Sequence, residues 1–187
     1  MAPAPELGVT VTDLSTAHTA DLGAATLTAV RGLLDEVFEG DFSDDDWDHS
    51  LGGMHVLVHE GSALIGHGSI VQRQLTHDGR ALRAGYVEAV AVRADRRRRG
   101  HAGRIMAELE RVARNAYDLG ALSASEEGIA FYTARGWSRW QGPTSVFAPE
   151  GLRRTEEDDD SVFVLPGTTP LDRTGALSCE WRNGDVW

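Results

Sequence analysis

The sequence predicts an α+β (α/β) domain, with helices flanking one mixed, mostly antiparallel sheet. Three observations carry this. Gly85 to Val92 is almost uniformly apolar, as a central strand is, and runs through Arg93-Ala94-Asp95 and an arginine-glycine turn into a helix. Strand-like segments from Met54 to Val92 follow one another across tight-turn signals, so three antiparallel strands precede that helix. Apolar residues recur at steps of three and four over Val30–Phe38 and over Ala102–Ala116, the period of half-buried helices.

Taken in order, Leu7 to Thr12 reads as a first strand. Thr19-Ala20-Asp21 supplies an N-cap for a helix to about Glu39, with Val30, Leu33, Leu34, Val37 and Phe38 as its buried stripe. Five aspartates then fall within Asp41–Asp48, interleaved with Phe42 and Trp47. They read either as a solvated loop or capped short helix, or as an acidic wall with aromatic edges suited to a cationic amino-sugar or polyamine. Met54–Glu60 and Ala63–Thr76 are strands, and Asp78-Gly79 between His77 and Arg80 marks a two-residue hairpin. His55, His59, His67 and His77 sit on or near these strands. Their spacing forms no compact ligand set, so no metal site is expected.

Arg97-x-x-Gly100-x-Ala102 opens the next helix, whose apolar face is Ala102, Ile105, Met106, Leu109, Val112, Ala113 and Ala116. The first amides of a helix lack internal partners and lie at the positive end of its dipole. No Ser, Thr, Asp or Asn caps this start, and small residues leave room for an anion such as a phosphate. Leu119–Leu122 is a short buried strand. Ser123-Ala-Ser125-Glu126 matches a capping box opening a helix that Gly136 ends. Ser145–Ala148 and Ser161–Leu165 are strands, with a second acidic loop at Thr155–Asp160 between them. The aromatic end, Cys179 to Trp187, is expected to dock rather than fray.

Composition bounds the function. The 187 residues suit a single domain, 1–187, without a dividing linker or a repeat. A net charge of −11 argues against nucleic acid and suits a cationic partner; every basic residue is arginine. No apolar run is long enough for a membrane span, no secretory signal opens the chain, and the single Cys179 excludes an internal disulfide, so a cytoplasmic location is expected. The chemistry legible without any family is amine acylation. Glu88, alone on an apolar strand, is a candidate base whose pKa burial would raise. Tyr132 is a candidate proton donor, and the Val90 amide a candidate donor to a carbonyl oxygen. No nucleophilic Ser or Cys motif appears, so direct transfer in a ternary complex is preferred to an acyl-enzyme.

Arg97, Gly100 and Ala102 after a strand resemble the coenzyme signature of the GNAT superfamily of N-acetyltransferases. Phe131-Tyr132 before Arg135-Gly136-Trp137 resembles its second signature. More narrowly, Gly40-Asp41-Phe42, Asp46-Trp47, Leu51 to His55, Gly85 to Glu88, Gly142 to Val146, Val162 to Pro166 and Gly184 to Trp187 look like the mycobacterial aminoglycoside 2′-N-acetyltransferases, over nearly the whole chain after about residue 15. The resemblance implies the GNAT fold, with its splayed acetyl-CoA cleft, and a homodimer. It implies acetyl-CoA contacts at Val90, Ala91, Val92, Arg97, Arg98, Arg99, Gly100, His101 and Ala102. It implies acceptor contacts at Asp41, Asp46, Glu88, Ala89, Ser123, Asp158, Asp185 and the terminal carboxylate of Trp187, with Trp47 or Trp181 as an apolar floor. In that family Tyr132 faces the coenzyme thiol. Ala89 stands where that family has glycine. The alternatives on the same fold are another acceptor amine (a polyamine, a peptide N-terminus, a cell-wall amino sugar) or a non-catalytic acyl-CoA-binding protein. The retention of both Glu88 and Tyr132 weighs against the last.

Overall fold

A computed structural model of the chain describes residues 12–167 and 169–187. The expected strand at Leu7–Thr12 lies outside these residues apart from Thr12. The elements described are strand β1 (Thr12–His18), helix α1 (Ala24–Val37), α2 (Asp44–Ser50), β2 (Met54–Glu60), β3 (Ala63–His77), β4 (Arg80–Val92), α3 (His101–Ala116), β5 (Leu119–Ser123), α4 (Ile129–Ala134), β6 (Ser138–Arg139), β7 (Thr144–Ala148), β8 (Gly151–Arg154), β9 (Val162–Pro166) and β10 (Leu177–Glu180). The ten strands form one mixed sheet in the order β6-β9-β5-β4-β3-β10-β7-β8. β2 branches from β3, and β1 pairs with β2.

Long β3 is the spine. Its first half pairs with β2 and its last residues with β10, while β4 runs antiparallel to it along almost its whole length. Asp78 and Gly79 take φ of 50° and 71°, the left-handed pair that the hairpin requires. β5 is parallel to β4, joined by α3 as crossover, but pairs only Ala84–Tyr86 with Leu119–Ala121. Beyond Tyr86 the two strands part, and among the described residues the edge of β4 from Val87 to Val92 has no strand partner on that side.

β4 carries an irregularity just there. His67 faces Ala91 and Ser69 faces Glu88, so Ala89 and Val90 together oppose Gly68 alone, a β-bulge. Ala89 takes φ +51°, a conformation that costs a residue with a Cβ about 1–2 kcal/mol. Gly68 is needed opposite it because α3 lies so close: a Cβ there would stand 2.7 Å from Ile105.

α3 covers one face of the sheet with Ile105, Met106, Leu109 and Ala113, in a cluster with Val56, Ile65, Ile70, Val87 and Phe163. Each large side chain so buried contributes roughly 1.5–3 kcal/mol. α1 buries Val30, Leu33 and Leu34 of its predicted stripe, but Val37 is only half-buried and Phe38, just past the helix end, is 37% exposed because both border the cleft; α1 starts at Ala24 behind a Gly23 N-cap, and Thr19–Asp21 forms a separate 3-10 turn. The last residues belong to the core. Trp187 is 4% exposed, packs with Leu82, Trp140 and Val146, and donates its indole N–H to Thr155 Oγ1 at 2.9 Å.

Candidate active site

The parting of β4 and β5 opens a cleft of about 1100 Å³, and the functional residues converge on it from six regions of the chain. The bulged edge of β4 contributes Tyr86 to Val92, and the turn and helix that follow contribute Arg97 and Ala102. Ser123 and Ser125 come from the end of β5, and Phe131 and Tyr132 from α4. Phe38, Asp41, Phe42 and Asp46 come from the α1–α2 region, and Arg182, Asp185 and Trp187 from the C-terminal segment.

One end of the cleft is cationic and carries an uncapped helix start. Gly100 caps α3 at φ +84° with no side-chain hydrogen bond to the first turn, and Arg98 is also left-handed at +59°. Arg96 is engaged by Glu60 at 2.6 Å and by Asp95 at 2.7 Å, and Asp95 also holds Arg93. Among the described residues, no carboxylate pairs with Arg97, Arg98 or Arg99. Arg97 Nε donates to the Val92 carbonyl at 3.2 Å, which ties the loop to the end of β4. Of the expected coenzyme residues, Val90, Ala91, Val92, Arg97 and Ala102 line the cleft. Arg98, Arg99 and Gly100 lie exposed on the loop outside it, and His101 is buried.

The other end is acidic. Asp41, Asp46, Glu88 and Asp185 all line the cleft, as do Ala89, Ser123 and Trp187. The aspartate run is divided between a capped short helix and the cleft wall. Asp44–Asp46 form the first turn of α2, and Ser43 and Asp46 make the capping box, yet Asp46 also faces the cleft. Asp158 is the exception among the expected acceptor residues, because it does not line the cleft. It sits behind Asp185; burial, then the charges of Glu157 and Asp185, push its pKa up to about 6. Trp47 and Trp181 are not in the lining either; the apolar surface is supplied by Phe38, Phe42, Tyr86 and Trp187. The capping box read at Ser123–Glu126 does not form: Ser125 precedes a 3-10 turn without a side-chain cap, and Ser123 Oγ bonds Ser161 Oγ at 3.1 Å instead.

Glu88 is mostly buried, with its side chain 15% exposed to the cleft. Burial raises its pKa, and Arg182 opposes that rise through an ion pair of 2.6 Å. Sequence reasoning missed Arg182, since a contact across 94 positions has no local signal. Arg182 also donates to the Asp185 carbonyl at 2.7 Å and to Trp187 O at 3.1 Å, so one guanidinium ties the C-terminal segment to Glu88. Tyr132 is held by its neighbours. Its ring meets Phe131 and Trp137 edge-on, and Glu110 of α3 receives both Arg135 (2.7 and 2.9 Å) and the Trp137 indole (3.0 Å), pinning α4 to α3. The Arg-Gly-Trp motif is thus a clamp that fixes Tyr132 beside the cleft. Burial pushes the Tyr132 hydroxyl to about 12, so it is protonated at neutral pH.

A strand-edge cleft with an uncapped helix start and arginines at one end and a buried carboxylate at the other is the arrangement expected of GNAT acyl transfer, and the class of protein is shown by comparison with known proteins. The fold matches an acyl-CoA N-acyltransferase from Pseudomonas aeruginosa (TM-score 0.60, 17% identity, 83% of this chain and 99% of that one). It likewise matches Escherichia coli ElaA (TM-score 0.57, 16% identity, 83% and 99%). The family model described as an acetyltransferase (GNAT) domain matches residues 20–140. An aminoglycoside 2′-N-acetyltransferase of Mycolicibacterium fortuitum is 53% identical over 174 residues, covering 91% of this chain and 89% of that protein. The chain belongs to the GNAT acetyltransferase family.

Proposed function

We propose that the protein transfers the acetyl group of acetyl-CoA to the 2′-amino group of aminoglycosides, which would confer resistance to them, by direct attack in a ternary complex. The observation that carries this is the meeting of Glu88, Asp41, Asp46 and Asp185, from distant parts of the chain, at the open edge of β4. The 53% identity to an aminoglycoside 2′-N-acetyltransferase supports the choice of acceptor.

The pyrophosphate of the donor is read against the α3 N-terminus and Arg97–Ala102, with its pantetheine arm along Val90–Val92. The acceptor ammonium groups face the carboxylates, where each charge-assisted contact contributes about 1.5–3 kcal/mol. Glu88 takes a proton from the 2′-ammonium, directly or through a water. The freed nitrogen pair attacks the thioester carbon, and the oxygen that gains charge is met by the Val90 amide. As the C–S bond breaks, the Tyr132 hydroxyl gives its proton to the departing thiolate, and the second proton that the nitrogen sheds as the amide forms returns to Tyr132 through water, so the hydroxyl is restored. The reading takes the protein as a homodimer, as the family resemblance implies, as cytoplasmic, from the sequence features above, and as one without a nucleic-acid partner, given the net charge of −11.

The test is acetyl-CoA-dependent thiol release with four acceptors: an aminoglycoside bearing a 2′-amine, its 2′-hydroxyl counterpart, a polyamine and a peptide N-terminus. Turnover confined to the first is expected. Equal turnover of the polyamine or peptide, or none with any amine, would overturn the acceptor assignment.

A further inference from the structure

The strained bulge beside Glu88 is held from behind by a buried chain of hydrogen bonds. His67 Nδ1 lies 2.9 Å from the carbonyl oxygen of Ala89, and His67 Nε2 lies 2.9 Å from His55 Nδ1. His55 Nε2 lies 2.7 Å from Thr19 Oγ1, which accepts the Gly52 amide at 2.9 Å. Both imidazoles are fully buried. The direction of this chain is fixed by chemistry. A carbonyl can only accept, so His67 carries its proton on Nδ1 and accepts on Nε2. His55 must then donate from Nδ1 and accept on Nε2 from the Thr19 hydroxyl. Burial holds both rings neutral at physiological pH, with His55 down at about 4 and His67 at about 3. The chain ends on an amide oxygen, so it orients a peptide rather than carrying protons.

That peptide is the one joining Ala89 to Val90. No cis bond occurs among the described residues, so its carbonyl and its N–H point in opposite directions. His67 lies on β3 and draws the carbonyl toward that neighbour. The N–H of Val90 is thereby turned away from His67, and Val90 itself lines the cleft where β5 has parted from β4. Ala89 carries a Cβ, so its left-handed conformation has a cost that glycine would not bear.

We propose that His67, braced by His55 and Thr19, is a positioning residue that aims the Val90 amide at the thioester carbonyl. This rests on the acetyl-transfer reading above. It also accounts for alanine at position 89: the buried imidazole supplies the hold that glycine would make unnecessary.

The test separates the two ends of the imidazole. His67→Asn places an amide nitrogen near Nδ1, keeping the bond to Ala89 and losing the one to His55. His67→Gln reaches the Nε2 position, keeping His55 and losing Ala89. In the full-length protein, His67→Gln is expected to lower kcat by about tenfold or more, short of the roughly 10²–10³ lost when an oxyanion donor is removed outright, because the amide is misaimed and not deleted. Coenzyme A affinity by calorimetry should change by less than about threefold, since the pyrophosphate contacts are distant. His67→Asn should retain kcat within about threefold of the parent. With the Ala89→Gly protein as reference, His67→Gln should cost less than it does in the parent. Equal losses in the two variants, additive with Ala89→Gly, would mean that His67 only fills the core and would overturn the proposal, as would a larger loss in the Asn variant. If His67→Gln does not fold, His55→Gln read against His55→Leu for kcat at unchanged coenzyme affinity applies the same test one link back; equal kcat in those two folded variants overturns the proposal. A parent protein that acetylates no amine would instead overturn the acetyl-transfer reading.

Discussion

Replacing Arg182 by Met tests how Glu88 is kept ready as a base. The guanidinium makes its 2.6 Å contact with Glu88 at only 14% and 15% side-chain exposure of the two partners. Removing one member of a fully buried pair costs about 3–5 kcal/mol. Part of that cost falls on the carboxylate left behind, and residual exposure reduces it, so roughly 1.5–3 kcal/mol is the expected penalty on ionised Glu88. At about 1.36 kcal/mol per pH unit, the Glu88 pKa should rise by roughly 1–2 units. The sign follows from the structure: burial already raises it, and Arg182 is the largest influence holding it down. A base must be deprotonated, so the acid limb of kcat/KM against pH should move upward by that amount. Arg182→Lys, which keeps the charge, should move it less. Thermal stability should also fall, because the Asp185 and Trp187 oxygens lose their donor. An acid limb that stays put in a folded Arg182→Met protein would refute the assignment of that limb to Glu88.

Three further outcomes follow from the same geometry. Gly100→Asp should weaken coenzyme A binding by tenfold or more, while Gly100→Asn, with the same left-handed φ and no charge, should weaken it far less; a Cβ there meets nothing within 4 Å, so space does not confound the calorimetry. Glu88→Gln should lower kcat by roughly ten- to a thousandfold at neutral pH, with the loss shrinking as pH rises and the amine deprotonates unaided, and Tyr132→Phe should slow transfer with coenzyme affinity nearly intact; both are read from steady-state pH profiles. Asp158 titrates at about 6 in the fold against 3.8 unfolded, so its contribution to stability is present below 3.8 and lost as pH rises through 6. That shift corresponds to roughly 3 kcal/mol at full value and to about 1 after screening of this partly exposed group. Asp158→Asn should therefore raise Tm at pH 7.5 and leave it unchanged near pH 3.5, as calorimetric melts would show.

Much of this was written locally in the sequence. The Asp-Gly hairpin, the strand at Met54–Glu60 and the glycine-capped start of α3 each follow from a few adjacent residues with fixed backbone or hydrogen-bonding preferences. The docking of Trp187 follows from an apolar end that water would not tolerate. What was not legible is what depends on distant partners. Arg182 reads as one more surface arginine until the fold brings it to Glu88. His55 and His67 read as scattered strand histidines, because a shared hydrogen bond between neighbouring strands depends on register and not on spacing. The bulge at Ala89 is invisible because alanine does not announce a left-handed turn as glycine does. The capping box at Ser123 misled because Ser123 ends β5 and turns its hydroxyl to Ser161, so tertiary pairing took the group that a helix start would have used.

The burial of Trp187 and Val186 also limits how the acidic wall can be probed. Removing the last residues would open the core, so point substitution of Asp185, which is exposed, is the cleaner change. The central claim, that the acceptor is oriented by these carboxylates with one amine at Glu88, is tested most directly by the position of the acetyl group in the product. Two-dimensional NMR of an aminoglycoside turned over by the protein with acetyl-CoA should show a single acetamide at the 2′ nitrogen, and Asp185→Asn should raise acceptor KM while keeping that position. Acetylation at another amine, or at several, would contradict the account.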